Sequence, residues 1–365
     1  KKPVFEKIDS NTEYDISIFR NHLKLLCNQD EDKFESLENV IASDLRHPEK
    51  NRKFAVILNS SQGVGKTILF NALKKLYGEA NCSDLNMKQL TGQYQPHMLE
   101  SNYLFINEID SSAIEDRGRR ANLKTIISDE YHTVELKGVD LMKINCHYTV
   151  WGATNETIPM YMADGERRTF YLEVDITKQQ IEDEDPNYFE NFCNFADNFD
   201  RMREVYDFYR NRFKTDEDYD LHHAPTTLEK EELIESNKPQ YMRYLSNLLA
   251  NETVTSFKKD LINIDKTLED VVRYAVEDDM NPVNKWTNNH IKRWIKDNKR
   301  NFRVSQEGIR QPDGKRIRFW CVKNHKWWTQ YRDNHDAIEA HFENLIDTTK
   351  VNPTNFDKQQ EAYNG

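Results

Sequence analysis

Ser60-Ser61-Gln62-Gly63-Val64-Gly65-Lys66-Thr67 is the stretch on which the reading of this chain turns. Before it stand five consecutive apolar residues, Phe54-Ala55-Val56-Ile57-Leu58, and after it Leu69, Leu73 and Leu76 recur at helical spacing until Gly78. A continuous apolar run of this length reads as a strand buried on both faces. The leucine spacing predicts a helix over 67–77, with Gly78 as its stop. Strand, small-residue loop and helix match the pattern GxxxxGK[ST], except that Ser60 stands at the first glycine, where a positive φ would favour Gly. A chance Gly-Lys-Thr in a surface turn would lack the flanking strand and helix. Small residues let backbone N–H groups close around phosphate oxygens, and a helix N-terminus adds positive potential. Gln62, Gly63, Val64, Gly65, Lys66 and Thr67 are therefore the expected ATP-binding segment. Lys66 is expected to reach the β- and γ-phosphates, and the Thr67 hydroxyl to ligate Mg²⁺.

Further strands are expected at 103–106, 148–153 and 169–174, alternating with helices, which predicts an α/β layer with a mostly parallel sheet. The first runs into Asn107-Glu108-Ile109-Asp110. A phosphate-loop ATPase needs a carboxylate at a neighbouring strand end to hold the metal through water and to activate the attacking water. Glu108, 42 residues after Lys66, is the candidate base and water-mediated metal partner, with Asp110 in reserve. Acidic residues after a strand are also ordinary loop residues. The strand at 148–153 ends at Thr154-Asn155, where an Asn can orient the lytic water; an ordinary turn Asn is the plainer reading. Arg167-Arg168 follows. Arginine keeps its charge and can stabilise transferring phosphoryl oxygens, although a surface pair is often only solvated.

These elements in this order resemble superfamily 3 helicases, compact AAA+ ATPases of viruses, phages and plasmids. Lys66 to Asn155 spans only 89 positions, a core as short as that family's. The pattern is closest to poxvirus and phage primase–helicases and is similar to the C-terminal helicase half of phage primase–polymerases. The resemblance covers 23–227 and is carried by Gln62–Thr67, Ile106-Asn107-Glu108, Leu123-Lys124, Lys137, Thr154-Asn155, Arg167-Arg168 and Ala224-Pro225-Thr226-Thr227. Ser60 and Asn107 depart from it. The resemblance implies a hexameric ring around one nucleic-acid strand, ATP sites between subunits and an arginine finger, Arg167 or Arg168, from the neighbour. It also implies a hairpin that carries a basic residue into the channel. Here residues 132–143 alternate on both sides of Lys137-Gly138, so Lys137 is the expected strand contact, supported by Lys143 and Lys124. For a lone lysine the ordinary reading is a solvated side chain.

The rest of the chain is read in the same way. Residues 1–52 hold two helical segments and are expected to form a collar. Residues 53–227 form the AAA+ core, 228–351 a basic C-terminal module, and 352–365 an Asn/Gln-rich tail without structure. Residues 282–332 carry 14 Lys/Arg against 3 Asp/Glu, a local balance of +11 that leaves −22 on the rest of a chain whose net charge is −11. A basic module on an acidic body points to nucleic acid. A basic helix at 288–299 and a hairpin through Pro312-Asp313-Gly314 suggest a winged-helix-like module, with Lys292 and Arg316 as phosphate contacts. Five of the six tryptophans lie from Trp286 onward and read mainly as core. The five cysteines are scattered without a CxxC pair, which argues against zinc or a disulfide frame. No apolar run approaches a membrane span, and no signal-peptide stretch follows the first lysines. Lys1 in place of Met reads as the start of an excised piece, and the resemblance to primase–polymerases allows a linked primase or polymerase domain upstream.

The expectation is therefore an ATP-hydrolysing replicative DNA helicase, acting on single-stranded and forked DNA in the cytoplasm of an infected bacterial host. Its rivals are an AAA+ initiator or loader on duplex DNA, a DNA-binding protein that senses nucleotide without turnover, a phosphate-loop kinase, and an RNA helicase.

Overall fold

The apolar run forms strand β1 (Ala55–Ser60), buried at every residue, and Lys66 opens helix α3 (Lys66–Tyr77) behind it. The computed structural model describes residues 5, 8, 13–50, 52–91, 99, 101–109, 117–136, 139–145, 148–156, 162, 165–214, 219–220, 222–277, 286–310 and 316–342. The chain divides into two compact units, residues 1–237 and 238–365.

In the first unit, α1 (Ser17–Leu26) and α2 (Glu31–Arg46) precede β1. After α3 come β2 (Cys82–Leu85), α4 (Met87–Thr91), β3 (Tyr103–Ile106), α5 (Arg117–Ser128), the strands β4 (Tyr131–Leu136) and β5 (Val139–Asn145), then β6 (Thr149–Thr154) and β7 (Thr169–Val174). Helices α6 (Lys178–Glu184), α7 (Tyr188–Asp197), α8 (Phe199–Asp207) and α9 (Leu228–Ser236) follow. Five strands make one parallel sheet in the order β2-β3-β6-β1-β7, and β4 pairs with β5 as a separate antiparallel hairpin. This is the mixed α/β architecture with a parallel sheet that the alternating strands predict.

Successive side chains of a strand point to opposite faces, so each strand feeds two cores. Val56, Leu58, Phe105, Trp151 and Phe170 lie in one core with α1, α2, α3, α7 and α8. Ala55, Ile57, Leu104, Val150 and Tyr171 lie in the other, with Ile126 of α5, Val134 of the hairpin and Leu233 of α9. The two helices expected as a collar bury Phe19, Leu23, Phe34 and Ile41 in the first of these cores, beside the sheet. Arg52 ties them to it. Its buried guanidinium stands 3.2 Å from Asp44 and donates to the carbonyls of Phe54 and Val150. Burial raises the Asp44 carboxyl to about 6, against the downward pull of Arg52.

The expected boundary after Thr227 falls inside the first unit. Thr227 Oγ1 donates to the Tyr171 carbonyl at 2.7 Å, Glu229 pairs with Lys33, and Leu233 enters the second core, so α9 stays with the sheet. Strand β2 has no apolar run to announce it: Cys82-Ser83-Asp84-Leu85 is a polar, part-exposed strand at the sheet edge. Helices α7 and α8 meet at Asn198. The Asn198 side chain accepts from the backbone N–H groups of Asp200 and Arg201 and so starts α8.

The second unit holds α10 (Gln240–Ala250), β8 (Leu261–Asn263), α11 (Ile264–Glu277), α12 (Asn288–Asp297), β9 (Phe302–Arg310), β10 (Arg316–Cys321), α13 (His325–Gln330) and α14 (His335–Phe342). Its antiparallel sheet has the order β8-β10-β9. Helix α12 buries Ile291, Trp294 and Ile295, as their spacing predicts, and leaves Lys292, Arg293 and Lys296 exposed. Trp294, Trp327 and Trp328 are buried, and Trp286 and Trp320 pack half-buried against a core, so these tryptophans build the unit. The Pro312-Asp313-Gly314 turn and the tail 352–365 lie outside the described residues. Among the described residues no helix is long and apolar enough to cross a membrane.

Candidate functional site

From β1 the chain runs out to β2 at one sheet edge, works back through β3 and β6, and places β7 on the other side of β1. The carboxyl end of β1 is thus where the strand order reverses, the place where open α/β sheets bind ligands. The loop after β1 stands at that point. Gly63 and Gly65 have φ of +87° and +104°, a region that costs L-residues energy and glycine nothing. Ser60 is not among the positive-φ residues. The serine at the first glycine position therefore carries no backbone strain, and its hydroxyl is used instead.

Lys66 is buried beneath this loop. Its Nζ donates to the Ser60 carbonyl at 3.0 Å, to Ser60 Oγ at 2.5 Å, to the Ser61 carbonyl at 3.3 Å and to Asn155 Oδ1 at 2.5 Å. None of the four oxygens carries a formal charge, and burial lowers the Lys66 pKa to about 8. The α3 N-terminus, with its unpaired N–H groups, opens onto the same point. A cleft of about 420 Å³ lies over the loop, lined by Gly63, Gly65, Lys66, Thr67, Asn107 and Asn155. That size falls within the roughly 300–1,000 Å³ range of small-ligand sites. Thr67 is exposed to the cleft, and its hydroxyl is the kind of hard oxygen donor that Mg²⁺ takes. Among the described residues no cluster of three His, Cys, Asp or Glu side chains could hold a metal alone.

The structure brings together some of the residues singled out from sequence and separates others. Asn155 follows β6 and reaches Lys66. Asn107 follows β3, lines the cleft and donates to Asp84 Oδ1 at 3.2 Å. Glu108, the next residue, is exposed and is not among the residues lining the cleft. Asp110 lies outside the described residues. Arg167 and Arg168 stand at the amino ends of the strands: the Ala55 N–H at the start of β1 donates to the Arg168 carbonyl at 2.8 Å. The length of β1 then separates them from the loop by about 17 Å, at about 3.3 Å per residue.

At that end Arg168 Nε donates to Ser128 Oγ at 3.0 Å, whereas the Arg167 side chain is exposed. Lys124 approaches Glu166 at 4.0 Å. On the hairpin, Lys143 is exposed and stands 4.2 Å from the centre of the Tyr131 ring, itself half exposed. Lys137 falls outside the described residues. Lys292 and Arg316 are exposed in the second unit.

Sequence reasoning missed four residues around the loop. Lys178, Glu182 and Phe189, from α6 and α7, complete the cleft. His22, from α1, sits beneath Gly65. One signal for the first group was legible: Thr177 and Gln180 form a capping box at the start of α6, directly after β7. It places a helix start at the carboxyl end of a strand beside β1. His22 carries no such mark.

Residues 58–168 match the model of a family of unknown function, DUF5906. The chain is 30% identical over 130 residues to the DNA primase-polymerase of Nitratiruptor phage NrS-1; the match covers 34% of this chain and 18% of that protein's length. Two apo structures of the NrS-1 C-terminal region share the fold, each with a TM-score of 0.64 at 19% identity over 88% of this chain and 78% of theirs. The chain is thus related in part of its length to a phage primase-polymerase and shares the architecture of that protein's C-terminal region.

Proposed function

We propose that this chain is the ATP-driven motor of a phage replication protein, an ATP hydrolase and helicase that moves along single-stranded DNA. The observation that carries this reading is the state of Lys66. A buried ammonium among uncharged oxygens is costly, because burial strips its water and no counter-charge among the described residues replaces it. Here it lies under a glycine loop at a helix N-terminus, facing an open cleft. A polyphosphate is the ligand that supplies the missing charge and accepts from the loop and helix N–H groups.

In this reading Gln62, Gly63, Val64 and Gly65 hold the phosphates by their backbone, Lys66 meets the β- and γ-phosphates, and Thr67 ligates Mg²⁺. The metal, when bound, neutralises charge on the phosphate oxygens. Asn155 orients the attacking water, and Glu108 acts as its base. Strand order, loop and sensor position all suit the AAA+ superfamily 3 plan. The two ends of the strands also suit a ring. Arg167 is about 17 Å from its own loop by strand length, so it serves a neighbour's site in a head-to-tail assembly, a hexamer in the superfamily 3 plan. Arg168, bonded to Ser128, supports it. Lys124 stands at that same end. Lys143 and Lys137 are the strand contacts. In the second unit, α12 and the hairpin after it make a winged-helix-like arrangement in which Lys292 and Arg316 grip phosphates. Likeness to a DNA primase-polymerase favours DNA as the strand.

The test is steady-state ATP hydrolysis with and without single-stranded DNA, alongside displacement of a forked duplex, for wild type, Lys66→Ala, Glu108→Gln and Lys143→Ala. DNA-stimulated turnover that both active-site variants abolish is the expected result, with unwinding impaired in the Lys143 variant. The position of Glu108, exposed and outside the cleft lining, favours one second reading: a DNA-binding protein that senses nucleotide without turnover. Nucleotide binding with no hydrolysis in wild type would establish it and end the motor reading.

A further inference from the structure

We propose that Lys178 is a second polyphosphate-binding cation, held in reserve by Glu182 until nucleotide arrives. The inference rests on the nucleotide reading of the Lys66 loop and names a residue that this reading does not use.

The local sequence fixes where Lys178 sits. The Thr177 N–H donates to Gln180 Oε1 at 2.8 Å, and Thr177 Oγ1 accepts from the Gln180 N–H, so the first turn of α6 is locked directly after β7. Lys178 is the first residue of that helix, at the strand end beside the loop. Its stem lies on Gly63: a Cβ added at Gly63 would stand 2.9 Å from Lys178 Cδ and 3.4 Å from its Cβ. With no side chain at position 63, the lysine reaches the loop backbone itself. Its ammonium then turns away along the helix to Glu182 Oε1, 3.3 Å distant and one turn on. Both residues line the cleft with Lys66.

The pair is a poor match for a permanent structural bridge. Its side chains are 54% and 37% exposed, and an ion pair that open to water contributes little. A polyphosphate offers the ammonium more negative charge than one carboxylate, and Mg²⁺, Lys66 and a helix N-terminus together still leave a triphosphate short of neutral. The stem already rests on the loop, so side-chain rotation alone carries the ammonium from Glu182 to a phosphate oxygen. Glu182 is then released to solvent. Lys178 thus approaches the phosphates from the α6 side, opposite Lys66.

The experiment is equilibrium binding of a fluorescent ATP analogue to the whole chain, for wild type, Lys66→Ala, Lys178→Met, Glu182→Gln and the Lys178→Met/Glu182→Gln double variant. Fluorescent adenosine without phosphates serves as the control ligand. Methionine keeps the stem over Gly63 and removes the charge. Lys178→Met should weaken ATP binding about tenfold, the scale of one charge-assisted hydrogen bond. Glu182→Gln should tighten it a few-fold by freeing the ammonium, and the double variant should match Lys178→Met. Adenosine should bind all variants alike, and thermal midpoints should stay level. If wild type binds ATP and Lys66→Ala does not, yet Lys178→Met binds as wild type does, the inference is overturned while the nucleotide reading stands. Weakening by Glu182→Gln equal to that by Lys178→Met would overturn it too, by showing a structural bridge. If wild type binds no ATP, the nucleotide reading itself falls and this inference with it.

Discussion

His22 Nε2 lies 3.2 Å from the carbonyl oxygen of Gly65, and its Nδ1 lies 3.0 Å from the Tyr188 hydroxyl. A carbonyl only accepts, so Nε2 carries the proton and Nδ1 accepts from the tyrosine O–H. One fully buried imidazole, packed on the Phe192 ring at 4.3 Å, thereby joins α1, the phosphate-type loop and α7. A residue of the segment expected as a collar supports the loop directly.

The first prediction concerns acid stability. Burial lowers the His22 pKa from 6.5 to about 4. As pH falls, the unfolded chain takes up this proton first, so the His22 contribution is complete above pH 6.5 and is lost towards pH 4. The slope is about 1.4 kcal/mol per pH unit. Asp44 runs the other way: its carboxyl is raised to about 6, so the folded state binds that proton first and gains on acidification from pH 6 to its ordinary value. Comparing wild type with His22→Gln isolates the histidine. Urea unfolding across pH 4–7 should show wild type more stable near pH 7, with the difference shrinking as pH falls. A constant difference would refute the assignment.

Gly65→Ala tests the same contact from the other side. The added Cβ would stand 2.5 Å from His22 Cε1, at a φ of +104°. The left-handed conformation alone costs roughly 1–2 kcal/mol, and the clash adds to it. Gly65→Ala should lower the thermal midpoint. His22→Ala should recover part of that loss in the double variant, because the histidine is half of the collision.

Nucleotide affinity should fall as pH rises through 8. The Lys66 pKa is lowered to about 8 in the free protein, and only the protonated form pairs with phosphate. The apparent Kd for ATP should therefore rise by up to about tenfold per pH unit above that value, the slope of a single proton. Binding measured between pH 7 and 9.5 checks this; a flat profile would count against Lys66 as the phosphate cation.

The two arginines should separate by phenotype. Arg167→Ala should leave unfolding unchanged and abolish turnover, because its side chain is exposed. Arg168→Ala should lower stability by about 1 kcal/mol through loss of the bond to Ser128. If Arg167 acts on a neighbour's site, mixing Arg167→Ala with Lys66→Ala subunits should restore part of the ATPase activity that each lacks alone. No recovery in mixed assemblies would speak against action in trans.

For the second unit, Lys292→Ala should weaken single-stranded DNA binding equally for different sequences. It should also lower the slope of log K against log salt by about 1, as one phosphate contact disappears. Binding titrations at several salt concentrations read both effects. An unchanged slope would show that this lysine only faces solvent.

Much of the site was legible where residues close in the chain act together. The loop Ser60–Thr67, the strand before it and the helix after it depend on backbone geometry and side-chain spacing within a few residues. Asn155 could be placed because it follows a readable strand. Lys178, Glu182 and Phe189 could not be assigned to the cleft, because they reach it only once β7 lies beside β1. The capping box at Thr177 marked a helix start but not what that start would face. Strand β2 stayed hidden because an edge strand exposed to water needs no apolar run.

By itself the sequence determined the local elements: a doubly buried strand, a glycine loop that only left-handed φ can close, an amphipathic helix, and a basic helix with an apolar face. Those follow from periodicity and side-chain chemistry over a few residues. Tertiary structure alone decided which elements share a core, that His22 supports Gly65 across 43 positions, and that Lys66 and Arg167 stand at opposite ends of the strands of one sheet. The physical reason is that strand order is chosen by packing both faces of the sheet at once. That choice depends on contacts between residues far apart in the chain, which no local pattern records.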